Sequence, residues 1–194
     1  MPARINPMSP PRPTELAHTM LRDVIRAGDT VIDATAGHGH DTVFLAEQVG
    51  ATGRVLAIDV QPSAIRSARA KISKAGLAER VEFHQASHAR LAEFAPPDSV
   101  AAVMFNLGYL PGEDHDLTTM ADETLAALDA ATVVLKSGGV LTVVCYPGHP
   151  AGAAEAPAVE SRLTYLTQTG WRVAKYALLG THKPAPYLLV ARKA

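Results

Sequence analysis

Thr30-Val-Ile-Asp33-Ala-Thr-Ala-Gly37-His-Gly39-His-Asp41-Thr42 is the stretch that decides the fold. Its opening, Thr30-Val-Ile-Asp-Ala, is short, apolar and β-branched, as a buried strand requires. Glycines follow at once, and Asp41 to Val49 then reads as a helix. A strand that bends through glycines into a helix is the opening unit of a doubly wound α/β sheet. The rest of the chain must then repeat the alternation.

It does so. Arg54 to Asp59 reads as the second strand and Pro62 to Ala75 as the second helix, with proline at the first helical position. Val81 to Gln85 is a third strand leading to a helix near Ser87 to Phe94. Ser99 to Asn106 is apolar nearly throughout, as expected of a strand covered on both faces. Leu117 to Leu135 reads as a long helix, Val140 to Tyr146 as the fifth strand and Glu155 to Gln168 as another helix. Trp171 to Leu179 and Tyr187 to Arg192 then form two strands with no helix between them. The predicted architecture is a Rossmann-like, doubly wound, seven-stranded and mainly parallel sheet with a C-terminal antiparallel hairpin. Upstream, Leu16, Met20, Leu21, Val24 and Ile25 space as one face of a helix within Arg12 to Ala27, with Gly28 just past its end. The Gly/Ala/Pro-rich stretch from Pro147 to Pro157 reads as a mobile loop.

The chain has 194 residues, 47% apolar and 19% charged, which predicts one domain spanning residues 1–194. No apolar run is long enough for a bilayer and no signal peptide is evident, so a cytoplasmic location is expected. The lone Cys145 sits in an apolar run and is expected to be a core thiol. A net charge of −1 provides no global basic field, so a nucleic-acid partner would have to meet a local patch. The eight histidines form no His-Glu-x-x-His or comparable ligand pair, and no metal is expected.

Ligands of open α/β sheets bind beyond the carboxyl ends of the strands. Gly37 and Gly39 clear the backbone there, and the following helix offers unpaired N–H groups. Two details oppose a dinucleotide. Thr42 stands where the third glycine of Gly-x-Gly-x-x-Gly belongs, and Asp33 would place a carboxylate near a pyrophosphate. S-adenosylmethionine carries no phosphate but has an ammonium and a sulfonium, which acids suit. Asp59, about 20 residues beyond the glycines, is placed to accept the ribose hydroxyls. The expected donor site comprises Asp33, Ala34, Gly37, Gly39, His40, Asp41 and Thr42; Asp59, Val60 and Gln61; Ser87 and His88 at the adenine edge; and Asn106. Ser87 reads equally well as a helix N-cap.

Asp33-x-x-x-Gly37-x-Gly39 with Asp59 resembles the class I methyltransferases. More narrowly, Asp33-Ala-Thr-Ala-Gly-His-Gly-His-Asp-Thr42, Asn106-Leu-Gly-Tyr-Leu-Pro-Gly112 and Tyr146-Pro-Gly-His149 resemble one small bacterial family of rRNA-methylase-like proteins. The resemblance implies methylation of the aminomethyl group of 5-aminomethyl-2-thiouridine at the tRNA wobble position. The implied partner is therefore tRNA, through its anticodon region, with no membrane; a homodimer is compatible with the sequence, which does not decide it. Three positions depart from the family pattern: His38 where Asn is common, Ala151 within a Gly-Gly pair, and Ala185 within a Pro-Pro pair.

Asn106-Leu-Gly-Tyr109 is also similar to the Asn-Pro-Pro-Tyr signature of amino-directed methyltransferases, with Leu107-Gly108 in place of the prolines. An amine attacks only with its lone pair aimed at the methyl carbon, and an Asn106 amide oxygen can accept its N–H. Tyr109 is expected to pack on a nucleobase. The proton released needs an acceptor, for which His115, Asp116 and His149 are candidates. His38 and His40 are expected around the donor; His18 and His84 are expected to be structural. Thr181-His182-Lys183-Pro184 reads as a hairpin tip that could meet phosphate. Three alternatives stay open: methylation of rRNA, methylation of a small molecule or protein, and a catalytically silent donor-binding module.

Overall fold

The computed structural model describes residues 10–108 and 120–194. In chain order the elements are α1 (Pro13–Arg22), β1 (Thr30–Asp33), α2 (His40–Gln48), β2 (Arg54–Asp59), α3 (Pro62–Lys74), β3 (Val81–Gln85), β4 (Val100–Asn106), α4 (Ala121–Val134), β5 (Leu135–Cys145), α5 (Pro150–Leu166), β6 (Arg172–Tyr176) and β7 (Tyr187–Arg192). Short 3₁₀ turns lie at Ala78–Arg80, His88–Glu93 and Thr167–Thr169. The seven strands form one sheet in the order β3-β2-β1-β4-β5-β7-β6. β7 runs antiparallel to both β5 and β6, and the other pairings are parallel.

Alternate strand residues face opposite layers, which is why the central strands are apolar throughout. One face packs Val31, Val55, Met104, Val144 and Val190 with Leu21 of α1, Leu45 of α2 and Ile72 of α3. The other packs Ile32, Ile58, Val103, Phe105 and Leu141 with Leu128 of α4 and Val159 and Leu163 of α5. Cys145 is buried in this second layer, and burial pushes its thiol up to about 12, as an inert core sulfur should be. Among the described residues, no helix is long and apolar enough to cross a membrane.

Three boundaries differ from the sequence expectation. α1 stops at Arg22, six residues before Gly28, because Asp29 closes its own turn. Its carboxylate accepts from Arg26 N at 2.8 Å while its N–H donates to Arg26 O at 3.0 Å. β5 starts at Leu135 rather than Val140, since Leu135 pairs with Val100 ahead of a register shift. The supposed loop from Pro147 to Pro157 is mostly helix. Pro150 opens α5 at its first turn, and Pro157 lies inside it. Small residues there mark close packing rather than mobility, because a Cβ on Gly152 would lie 2.0 Å from Tyr146 O.

At the carboxyl end of β1, Asp33 is 1% exposed. It accepts from Thr42 Oγ1 at 2.5 Å and from Thr35 N at 3.2 Å, and so ties the two ends of the glycine loop together. Burial, and after it the charge on Asp41, pushes the Asp33 carboxyl up to about 7. A carboxyl whose pKa is higher folded than unfolded contributes stability below its unfolded pKa and loses it as pH rises through the folded one. The stability difference between wild type and Asp33→Asn should therefore shift against the wild type from about pH 4 to about pH 8, which denaturant titrations at intervals across that range will measure. A difference independent of pH would mean that Asp33 stays ionised throughout.

Candidate active site

The strand order reverses between β1 and β4, and the helices that come next in the chain after these strands, α2 and α4, pack on opposite faces. The cavity this opens has a volume of about 560 Å³, within the range of small-molecule sites. Its floor is the loop after β1, held by backbone bonds to both neighbouring strands. Ala34 N donates to Met104 O and Ala36 N to Ile58 O, each at 2.9 Å. The bend has to be tight at Gly39, where φ is +78° and a Cβ would lie 2.8 Å from Ala68 Cα of α3.

Asp59 ends β2 against this loop. Gly37 N donates to one of its oxygens and Gln61 N to the other, both at 2.9 Å. The carboxylate is thus fixed in position while keeping lone pairs for a ligand. Val60 and Gln61 line the same wall. Across from them His88 is 8% exposed and packs edge-on against Phe105. Burial holds its pKa below the ordinary imidazole value, and its Nε2 is buried with no partner among the described residues. A neutral, cavity-lining ring with an unsatisfied nitrogen suits a polar heterocycle edge.

At the other end stand Asn106, Leu107 and Gly108 from β4, with Tyr146, Gly148 and His149 from the end of β5. Asn106 N donates to Thr35 Oγ1 at 2.8 Å, bridging β4 to the glycine loop. Its side-chain Nδ2 donates to Asp41 Oδ2 at 3.1 Å, and its Oδ1 is buried without a partner among the described residues. Tyr146 reaches Asn106 as well, and burial raises its phenol pKa. Pro184 and Pro186, from the connection between β6 and β7, close the rim.

Ala34, Gly37, His40, Asp41, Asp59, Val60, Gln61, His88, Asn106 and His149 all line the cavity. Asp33, Gly39, Thr42 and Ser87 do not. Asp33 and Thr42 are turned into the protein and bonded to each other; Gly39 packs on α3; Ser87 caps the His88–Glu93 turn through Ala89 N and donates to Glu123. The charge match expected of Asp33 falls to other carboxylates. Asp41, Asp59 and Glu123 line the cavity, and its described lining contains no lysine or arginine. Such a wall suits a cationic ligand and repels a diphosphate.

His149 lines the cavity and is also held by the helix that follows it. Its Nδ1 accepts from Gly152 N at 3.2 Å, capping α5. That bond occupies Nδ1 and holds the ring against the first turn of α5. Of the two loop histidines, His38 meets Ser67 Oγ at 3.2 Å. His40 meets Lys71 Nζ, and burial, then Lys71, holds its pKa down. His84 stacks on Phe94, a structural placement as expected. Tyr109, His115 and Asp116 lie outside the described residues.

The sequence reading passed over Thr35, Tyr146 and Glu123. Tyr146 was signalled as the first residue after a buried strand beside the cavity. Glu123 has no local signal, because only the packing of α4 against the His88–Glu93 turn brings it there.

Residues 55–192 match the family model described as "Putative rRNA methylase". A chloroplastic tRNA (mnm5s2U34)-methyltransferase of Arabidopsis thaliana is 39% identical over 186 residues, covering 91% of this chain and 67% of that protein. Among solved structures, a "putative rRNA-methylase" of Clostridium thermocellum aligns with TM-score 0.91 and 34% identity, over 96% of this chain and 100% of that one. A "putative methyltransferase" of Streptococcus mutans, in complex with SAH, aligns with TM-score 0.86 and 31% identity over the same shares. This chain belongs to that rRNA-methylase family and is an S-adenosylmethionine-dependent methyltransferase.

Proposed function

We propose that the chain methylates an amine on tRNA, the aminomethyl group of 5-aminomethyl-2-thiouridine at the wobble position. The observation that carries this reading is the amide of Asn106, a cavity-lining residue whose Oδ1 is buried without a partner among the described residues. An unpaired acceptor at a strand end costs stability unless a ligand satisfies it. An amine N–H does so, and leaves the nitrogen lone pair free for attack. The substrate itself comes from likeness to the Arabidopsis protein, whose name states a wobble-uridine methyltransferase.

When bound, adenosylmethionine would supply an electrophilic methyl on a cationic sulfur, its transfer to the amine leaving neutral adenosylhomocysteine and releasing one proton to solvent. The residues' tasks follow from their places. Asp59, with Gln61 and Val60, holds the ribose side, and Ala34 and Gly37 present backbone to it. His88 meets the adenine edge through Nε2. Asp41 contributes negative charge beside the reacting centre, favouring the cationic donor. Asn106 orients the amine. Such positioning can supply up to about 7–11 kcal/mol of a bimolecular barrier. Pro184 and Pro186 put the connection between β6 and β7 at the mouth, where Lys183 is available to a phosphate.

Nucleoside mass spectrometry of tRNA, from cells with and without the protein, tests the acceptor. The expected result is accumulation of the aminomethyl nucleoside and loss of its methylated product in the deletion. Unchanged tRNA beside a changed rRNA, protein or metabolite would refute the wobble assignment. Binding of tRNA should also weaken steeply with salt, as phosphate contacts require. Asp59→Ala should raise the dissociation constant for adenosylhomocysteine at least tenfold, about 1.4 kcal/mol, by calorimetry. Unchanged affinity would remove Asp59 from the donor site.

A further inference from the structure

His18 sits on α1, outside the cavity, yet it is tied to the cavity wall. Its Nε2 lies 2.7 Å from Asp41 Oδ1. Its ring lies flat on Phe44 of α2, centroids 3.9 Å apart and planes 7° from parallel. The other Asp41 oxygen accepts from Asn106 Nδ2 at 3.1 Å. His18, Asp41 and Asn106 therefore form a chain of side chains from the N-terminal helix, through the first turn of α2, to the end of β4.

A carboxylate can only accept, so it dictates the orientation of both partners. The His18 nitrogen that faces it must carry hydrogen. The end of the Asn106 amide that faces it must be the NH₂, because a carbonyl oxygen there would be repelled. With Nδ2 claimed, Oδ1 takes the opposite side of the amide, where it is buried and without a described partner. Tyr146 cannot make this choice, since a hydroxyl both donates and accepts. Backbone forces do not make it either: the bond from Asn106 N to Thr35 Oγ1 holds the main chain and leaves the amide free to flip.

We propose that His18 is a positioning residue: by holding Asp41 it fixes the Asn106 carbonyl as the acceptor for an N–H of the substrate amine. The proposal rests on the amine reading given above. Without His18, Asp41 keeps one bonded oxygen and can pivot about it. Asn106 then samples the flipped orientation, in which its NH₂ confronts the amine and no N–H is accepted. The lone pair loses its aim.

Two substitutions at His18 separate hydrogen bonding from packing. His18→Phe keeps the stack on Phe44 and loses the donor; His18→Gln keeps a donor and loses the ring. His18→Phe should lower kcat about tenfold or more, with the KM for tRNA and the affinity for adenosylhomocysteine within about twofold of wild type, whereas His18→Gln should stay within about threefold in kcat. A readout independent of the acceptor is hydrogen exchange of the Asn106 side-chain NH₂ by NMR, assigned from its loss in Asn106→Ala. Exchange should be about tenfold faster in His18→Phe than in wild type and near wild type in His18→Gln. Wild-type exchange and turnover in His18→Phe, or equal defects in both variants, would overturn the relay. Full turnover in Asn106→Ala would instead bring down the amine reading itself, whatever His18 does to the amide.

Discussion

The site depends on one mechanical constraint: the loop after β1 is stapled at the same time to β4 and to β2. Ala34 N is bonded to Met104 O, Ala36 N to Ile58 O and Gly37 N to Asp59 Oδ2. These three bonds reach strands on either side of β1, and they hold the backbone flat across the strand ends. Asp33 and Thr42 close the loop from beneath with a buried hydrogen bond. Such a loop is held in place before a ligand arrives, which lowers the ordering cost of binding. The price of this rigidity is a buried carboxyl at Asp33 whose ionisation is suppressed near neutrality.

Charge then selects what the rigid loop can hold. The described lining carries Asp41, Asp59 and Glu123 without a lysine or arginine. Each carboxylate is engaged by the protein: Asp59 by Gly37 and Gln61, Asp41 by His18 and Asn106, Glu123 by Ser87. Carboxylates held by hydrogen bonds stay in place and do not swing toward an incoming cation. The field is preorganised, which favours a sulfonium over a neutral thioether and so favours exchange of product for fresh donor.

The sequence made the sheet legible because its signals are local. β-branched runs, glycines at strand ends and Pro62 or Pro150 at helix starts each act within a few residues. The glycine loop and the place of Asp59 were legible for the same reason, as both sit at strand ends. What was missed depends on contacts distant in sequence. Asp33 looked like a ligand-facing acid; only the packed structure turns it inward to Thr42. Gly152 and Pro157 looked like loop formers, but the close approach of Tyr146 O makes a small residue necessary at Gly152 inside a helix. His18 read as structural, because nothing near it in sequence points to Asp41, 23 residues away.

The two ends of the cavity also differ in how they are built, and this bears on specificity. One end comes from the β1, β2 and β3 ends, where backbone amides and a few acids form the wall. Substitution there meets steric and hydrogen-bond limits at once, as at Gly39. The other end comes from β4, β5 and the β6–β7 connection, where side chains and prolines form the wall. These can change without disturbing the staples beneath the donor. Asn106 joins both ends: its backbone is bonded to the glycine loop through Thr35, and its amide to Asp41. A residue so placed couples the two halves. A shift of the glycine loop is carried through Thr35 to the Asn106 main chain, so on the proposed reading the two ends of the cavity share one scaffold rather than two.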